Sequence, residues 1–118
     1  MALKVVNETR GSVLGEQVDL ADWWWPRLRG LIGHGPLEEG QGLLMVPCRG
    51  VHMYGMRYPI DVAFMDEERE VVALYRGLAP GARSKWHGEA RFALELPEGT
   101  LGSTGTLLGD HLSWSEAA

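Results

Sequence analysis

The densest group of reactive side chains is Cys48, His52, Met53 and Met56. A thiolate, an imidazole and thioethers are the soft ligands that copper(I) and similar ions prefer. On one straight strand, steps of four residues would hold positions 48, 52 and 56 about 13 Å apart, too far to share an ion. Pro47, Gly50, Gly55 and Pro59 argue against a helix that would gather them, so only a loop could do so. A lone thiol is also a weak metal signal, and a small buried Cys with packing methionines is the commoner use. No metal or other cofactor is therefore expected. The same pair, Cys48 and His52, would serve nucleophilic catalysis only with the base in hydrogen-bond reach, and no third, orienting residue stands out.

A second constellation is Asp61 with Arg57 and His52. Asp61 interrupts an apolar stretch in which Ile60, Val62 and Phe64 point one way and Asp61 and Ala63 the other. With both faces covered, its carboxylate must be paired or hydrogen-bonded, because an isolated buried charge is very costly. Arg27, Arg29 or Arg57 could supply a bidentate partner. Such a pocket could hold a small anionic or hydroxylated ligand, or let His52 and Asp61 act as a general base. The plainer alternative is a structural bond tying a loop to the sheet. Trp23, Trp24 and Trp25 are consecutive, and a helix cannot bury three neighbours on one face. At least one is expected at a contact edge, which makes them the candidate interface.

The elements that must position these residues are short. Leu3–Asn7 and Val13–Val18 read as a hairpin about Arg10-Gly11-Ser12. Asp22 can cap a helix in which Trp24, Leu28, Leu31 and Ile32 share a face, ending at Gly33, Gly35 and Pro36. Further strands are expected at 43–46, 51–54, 60–65, 70–75, 92–96 and 111–114. The strand at 60–65 turns through Asp66–Arg69 onto the next one. Residues 77–88 read as a loop. Short strands separated by Gly and Pro favour a small barrel or a folded-over sheet. His34, His87 and His111 are scattered and read as surface or capping residues, and no phosphate-cradling glycine loop is present.

Composition narrows the function classes. The 118 residues fit one domain over 1–118, and 45% are apolar, enough for a core. A net charge of -5 repels phosphate backbones, so nucleic acid is not an expected partner. One cysteine excludes an internal disulfide and fits a reducing compartment. The apolar start Met1–Val6 is too short for a secretory signal, and no run approaches a membrane span, so a cytoplasmic location without membrane contact is expected.

Four segments in this order resemble the DUF192 family of small domains. They are Arg27-Leu28-Arg29-Gly30-Leu31-Ile32, Gly42–Cys48, Met56–Asp66 with its Pro59-Ile60-Asp61-Val62-Ala63-Phe64 centre, and Leu94-Glu95-Leu96-Pro97 through Gly109-Asp110. The resemblance implies an α+β fold, mostly β, with a small barrel-like or folded-over antiparallel sheet and one short helix. It supplies no substrate, cofactor or catalytic residue. Many relatives have Trp-Met-Lys-Asn where this chain has His52-Met53-Tyr54-Gly55. The reading chosen is a non-catalytic domain binding a small ligand or a protein partner around Arg27, Arg29, His52, Arg57 and Asp61. The alternative is an enzyme using His52 and Asp61, with Cys48 as a further candidate. Soft-metal binding at Cys48, His52 and Met56 is a minor third.

Overall fold

The computed structural model describes residues 2–22 and 35–117. The helix expected after Asp22 lies outside the described residues, and so do Trp23, Trp24, Trp25, Arg27, Arg29 and His34. Seven strands are described: β1 (Ala2–Asn7), β2 (Ser12–Ala21), β3 (Gln41–Met45), β4 (Ile60–Met65), β5 (Val71–Leu78), β6 (Phe92–Pro97) and β7 (Leu112–Glu116). One helical turn, α1 (Thr100–Ser103), follows β6.

The strands form one sheet in the order β5-β4-β6-β3-β2-β1-β7. All neighbours are antiparallel except β2 and β3, which run parallel with Asp19 opposite Leu43. The sheet is therefore mixed, where a wholly antiparallel one was expected. Residues 22–40 carry the chain back to the start of β3, as a parallel neighbour requires. Nor is the sheet a closed barrel. Among the described residues its edge strands meet at one corner, through the bridge between Glu70 and His111. There the Val71 amide donates to the Asp110 carbonyl (2.8 Å) and the Leu112 amide to the Arg69 carbonyl (3.0 Å).

The hairpins at β1–β2 and β4–β5 follow the sequence reading. In the second, Asp66 Oδ1 accepts from the amides of Glu68 (2.9 Å) and Glu70 (3.0 Å) and closes the acidic turn. Arg69 adopts φ 64° there, and its guanidinium lies 4.1 Å from the centroid of the Trp114 ring. That contact offsets part of the strain of a left-handed non-glycine residue. The strand expected at 51–54 is absent: His52 makes an isolated bridge to Arg83, while Met53 turns into the core.

Period-two alternation separates two apolar layers. Leu44, Ala63, Met65, Leu94 and Leu96 point to one, with Leu3, Val5, Val18 and Leu112. Leu43, Met45, Ile60, Val62, Phe64 and Ala93 point to the other. Every residue of β4 is buried, as expected for a central strand covered on both faces. Each fully buried Phe64 or Leu94 contributes about 1.5–3 kcal/mol from its removal from water.

A polar knot fastens the β1–β2 turn to residues 104–110. Asp110 accepts a forked pair from Arg10 (Nε and Nη2, both 3.0 Å), one bond from Asn7 Nδ2 (2.9 Å) and one from the Leu107 amide (3.0 Å). The Arg10 bonds, helped by those from Asn7 and Leu107, hold the Asp110 carboxyl down at about 2. A carboxyl depressed in the fold stabilises it above the ordinary carboxylate range and ceases to do so as pH falls toward 2. Asp110→Asn is expected to cost about 2 kcal/mol at pH 7. In urea titrations between pH 2 and 7, the variant should lack the acid-side step that wild type shows. Equal acid sensitivity in the two proteins would remove this knot from the account of stability.

Candidate functional site

Asp61, second in β4, is 1% exposed. Its Oδ1 accepts from the Gly77 amide (2.9 Å), and its Oδ2 from the amides of Gly99 (3.1 Å) and Leu101 (2.9 Å). Gly99 caps α1 and has no side chain with which to receive the first free amides of that turn. The carboxylate of β4 receives them instead, across 38 and 40 residues of sequence. Both partner glycines have positive φ, 66° at Gly77 and 94° at Gly99, which side-chain-bearing residues rarely adopt. Among the described residues the partners of Asp61 are thus backbone amides. The arrangement ties β5 and α1 to the centre of the sheet.

His52 lies elsewhere, in the loop between β3 and β4. That loop is laced to the one following β5. The Met53 amide donates to the Ala82 carbonyl (2.7 Å), the Ser84 amide to the Val51 carbonyl (2.9 Å) and the His87 amide to the Arg49 carbonyl (2.8 Å). Ser84 Oγ accepts from the Val51 amide at 3.0 Å. Tyr75 Oη accepts from the Lys85 amide (3.0 Å) and is hydrogen-bonded to His87 Nε2 (2.8 Å), so β5 also holds the second loop. His87, expected at the surface, packs 4.8 Å from the Phe64 ring.

Between the two loops runs an open groove of about 520 Å³, walled by His52, Tyr54, Arg83, Ser84, Lys85 and Trp86 over Gly50 and Val51. The rings of His52 and Tyr54 stack with centroids 5.0 Å apart and planes 30° apart. Trp86 is 74% exposed and Tyr54 53%. A Cβ on Gly50 would lie 3.3 Å from Trp86 Cε3, so the indole rests close over the backbone of the first loop. Arg57 is exposed a few residues further on. A second groove, of about 370 Å³, lies between the start of β2 and α1 and is lined by Glu16, Glu39 and the hydroxyl residues Thr100, Ser103 and Thr104.

Cys48 donates its thiol to the Gly50 carbonyl (3.3 Å), and Met53 and Met56 belong to the apolar layer below. Among the described residues no group of three or more His, Cys, Asp or Glu side chains could hold a metal ion. Of the residues read as one pocket, His52 lines the groove, Asp61 faces amides, and Arg27 and Arg29 lie outside the described residues. Arg83, Lys85 and Trp86 were missed because they sit in a stretch whose Gly and Pro content marked it only as a loop.

Glu95, in the middle of β6, is 5% exposed. Burial pushes its carboxyl up to about 7. Tyr58 is raised as well, first by its own desolvation and then by the Glu95 charge.

A seven-stranded open mixed sheet with a single described helical turn defines a small, mostly β protein. The DUF192 model, described as an uncharacterised ACR, matches residues 5–114, and the chain belongs to that family. It is 31% identical over 115 residues to a UPF0127 protein of Thermococcus sibiricus, covering 93% of this chain and 73% of that one. A UPF0127 protein of Pyrococcus furiosus is 30% identical over 114 residues, covering 94% and 97%. Two crystal structures share the fold. One is a protein of unknown function from Novosphingobium aromaticivorans, with TM-score 0.80 and 19% identity over 95% of this chain and 83% of that one. The other, from Sinorhizobium meliloti and named provisionally as a transcription regulator, has TM-score 0.78 and 22% identity, covering 95% and 91%. No helix among the described residues is long and apolar enough to cross a membrane.

Proposed function

We propose that the chain is a non-catalytic small-ligand-binding domain, and that its ligand is an organic anion with a planar ring seated in the groove of His52, Tyr54, Arg83, Lys85 and Trp86. The observation that carries this reading is the 74% exposure of Trp86 on a loop otherwise held fast by hydrogen bonds. An indole this open to water contributes little to folding, and with Arg83 and Lys85 lining the same groove it offers a planar ring a face to stack on and cations for its charge. Preorganisation matters because little ordering entropy is lost when the ligand arrives. Asp61 supports this site from behind, by holding β4 and β5, and does not touch the ligand. The surrounding charge of -5 opposes long anions such as nucleic acid. The provisional name of the Sinorhizobium protein is therefore not extended to this chain.

The reading is tested by thermal shift and calorimetry at low salt with salicylate, indole-3-acetate and adenosine monophosphate. A ligand at ~100 times its Kd stabilises a fold by about 2.7 kcal/mol, readily detected in a domain of this size. Trp86→Ala is expected to weaken binding roughly tenfold. The double variant Arg83→Ala/Lys85→Ala should bind less tightly and lose most of the salt dependence. The reading fails if no probe shifts wild type, or if Trp86→Ala binds as wild type does.

A further inference from the structure

Among the described residues the other buried polar side chains are satisfied. Asn7, Thr106 and Asp110 bond one another, and Asp61 holds three amides. Among the described residues two buried side-chain oxygens have no partner, Glu95 Oε1 and Tyr58 Oη. Both lie at the same apolar layer, and the Glu95 charge is felt at the Tyr58 hydroxyl. Glu95 stands directly between Leu43 of β3 and Val62 of β4, its cross-strand neighbours on the same face. Tyr58 packs against the apolar layer to which Leu43 and Val62 belong. A leucine at position 95 would suit that layer, and a buried carboxyl with an unmet oxygen works against it. When local design rules are broken without a structural return, the position is a candidate for function.

We propose that Glu95 and Tyr58 form a binding site for a compact organic cation, an ammonium or guanidinium on an alkyl stem. The carboxylate takes the positive charge, the Tyr58 hydroxyl accepts one N–H, and Leu43 and Val62 flank the stem. A cation fits better than a neutral donor because only a charge offsets the desolvation of a carboxylate, and a guanidinium does so with a forked pair of bonds. The site differs in residues and in ligand sign from the Trp86 groove, and does not depend on it.

Binding carries a proton signature. The cation requires Glu95 ionised, so it must displace the proton that burial keeps on the carboxyl up to about pH 7. Affinity therefore falls as pH drops below that value, by roughly tenfold per unit. Tyr58 is the ionisable group on which the Glu95 charge acts, and it stays neutral throughout this range because both its burial and that charge raise it, while Cys48 and Tyr75 pack against the same layer. The strands on either side present Leu43 and Val62, and β2 beyond carries the exposed Asp19.

The experiment is calorimetric titration of the whole protein with agmatine, methylguanidinium and methylammonium at pH 6 and 8, in buffers of differing ionisation enthalpy. At least one cation should bind wild type, more tightly at pH 8, with proton release at pH 6. Glu95→Gln, checked for folding by circular dichroism, should bind roughly 10–100 times more weakly. Tyr58→Phe should lose several-fold while keeping the pH dependence, which a merely structural tyrosine would not do. The proposal is overturned if none of the three binds wild type at millimolar concentration, if Glu95→Gln binds equally well, or if affinity rises toward pH 6.

Discussion

Asp61→Ala is expected to lower the stability of the protein by about 4 kcal/mol and its melting temperature by roughly 15 °C. The substitution removes one acceptor group and leaves three amides, those of Gly77, Gly99 and Leu101, without the partner they have now. An unmet buried donor costs roughly 1–3 kcal/mol; the Leu101 bond is buried and the Gly77 and Gly99 bonds part-buried, and the three share one carboxylate, so their losses are not simply additive. Asp61→Asn discriminates further. Its carbonyl oxygen can replace Oδ2 and serve Gly99 and Leu101, but its amide then confronts the Gly77 N–H. It should fall between wild type and Asp61→Ala in urea denaturation. Arg57→Ala, at an exposed position, should stay within about 0.5 kcal/mol of wild type. If Asp61→Ala unfolds at wild-type urea concentrations, the carboxylate does not tie β5 and α1 to the sheet.

The setting of Asp61 also shows where sequence reasoning reaches its limit. That Asp61 and Ala63 share a face opposite Ile60, Val62 and Phe64 follows from alternation, and both faces are indeed covered. That a buried carboxylate must be satisfied follows from its charge. The identity of its partners does not follow, because backbone amides are common to all residues except proline and those used here are 16, 38 and 40 positions away. α1 was invisible for a related reason: four residues make one turn, too few for an apolar period to emerge, and its cap comes from another strand. The hairpins were legible because their turns are local. The pairing of β3 beside β2 was not, since it depends on how residues 22–40 return. Glu95 was passed over because Phe92-Ala93-Leu94-Glu95-Leu96 alternates as a half-exposed strand does. Only the second covered face makes that glutamate anomalous.

Glu95→Met is expected to stabilise the protein by about 2 kcal/mol at pH 8, because an unbranched side chain of similar length fills the same space without a charge or an unmet oxygen. The sign of the pH dependence supplies the sharper test. The Glu95 carboxyl is raised by burial from 4.5 in its ordinary state to about 7. Between those values the folded protein holds a proton that the unfolded chain has released, so stability is full below pH 4.5 and falls as pH climbs through 7, by about 3 kcal/mol. Asp110 works the other way on the acid side, where its depressed carboxyl withdraws support as pH drops toward 2. Wild type should consequently be most stable in mildly acid solution, and urea midpoints from pH 4 to 8 should decline. In Glu95→Gln that decline should be flat, since the titrating group is gone while side-chain size is kept. The gain in Glu95→Met should likewise shrink toward pH 5, where the wild-type carboxyl is already neutral. A saturating cation bound at Glu95 would draw its carboxyl back toward the ordinary range and flatten the wild-type decline as effectively as the glutamine does. A decline that persists in Glu95→Gln would place its cause outside this carboxyl, and a destabilised Glu95→Met would mean that the fold itself depends on the acid.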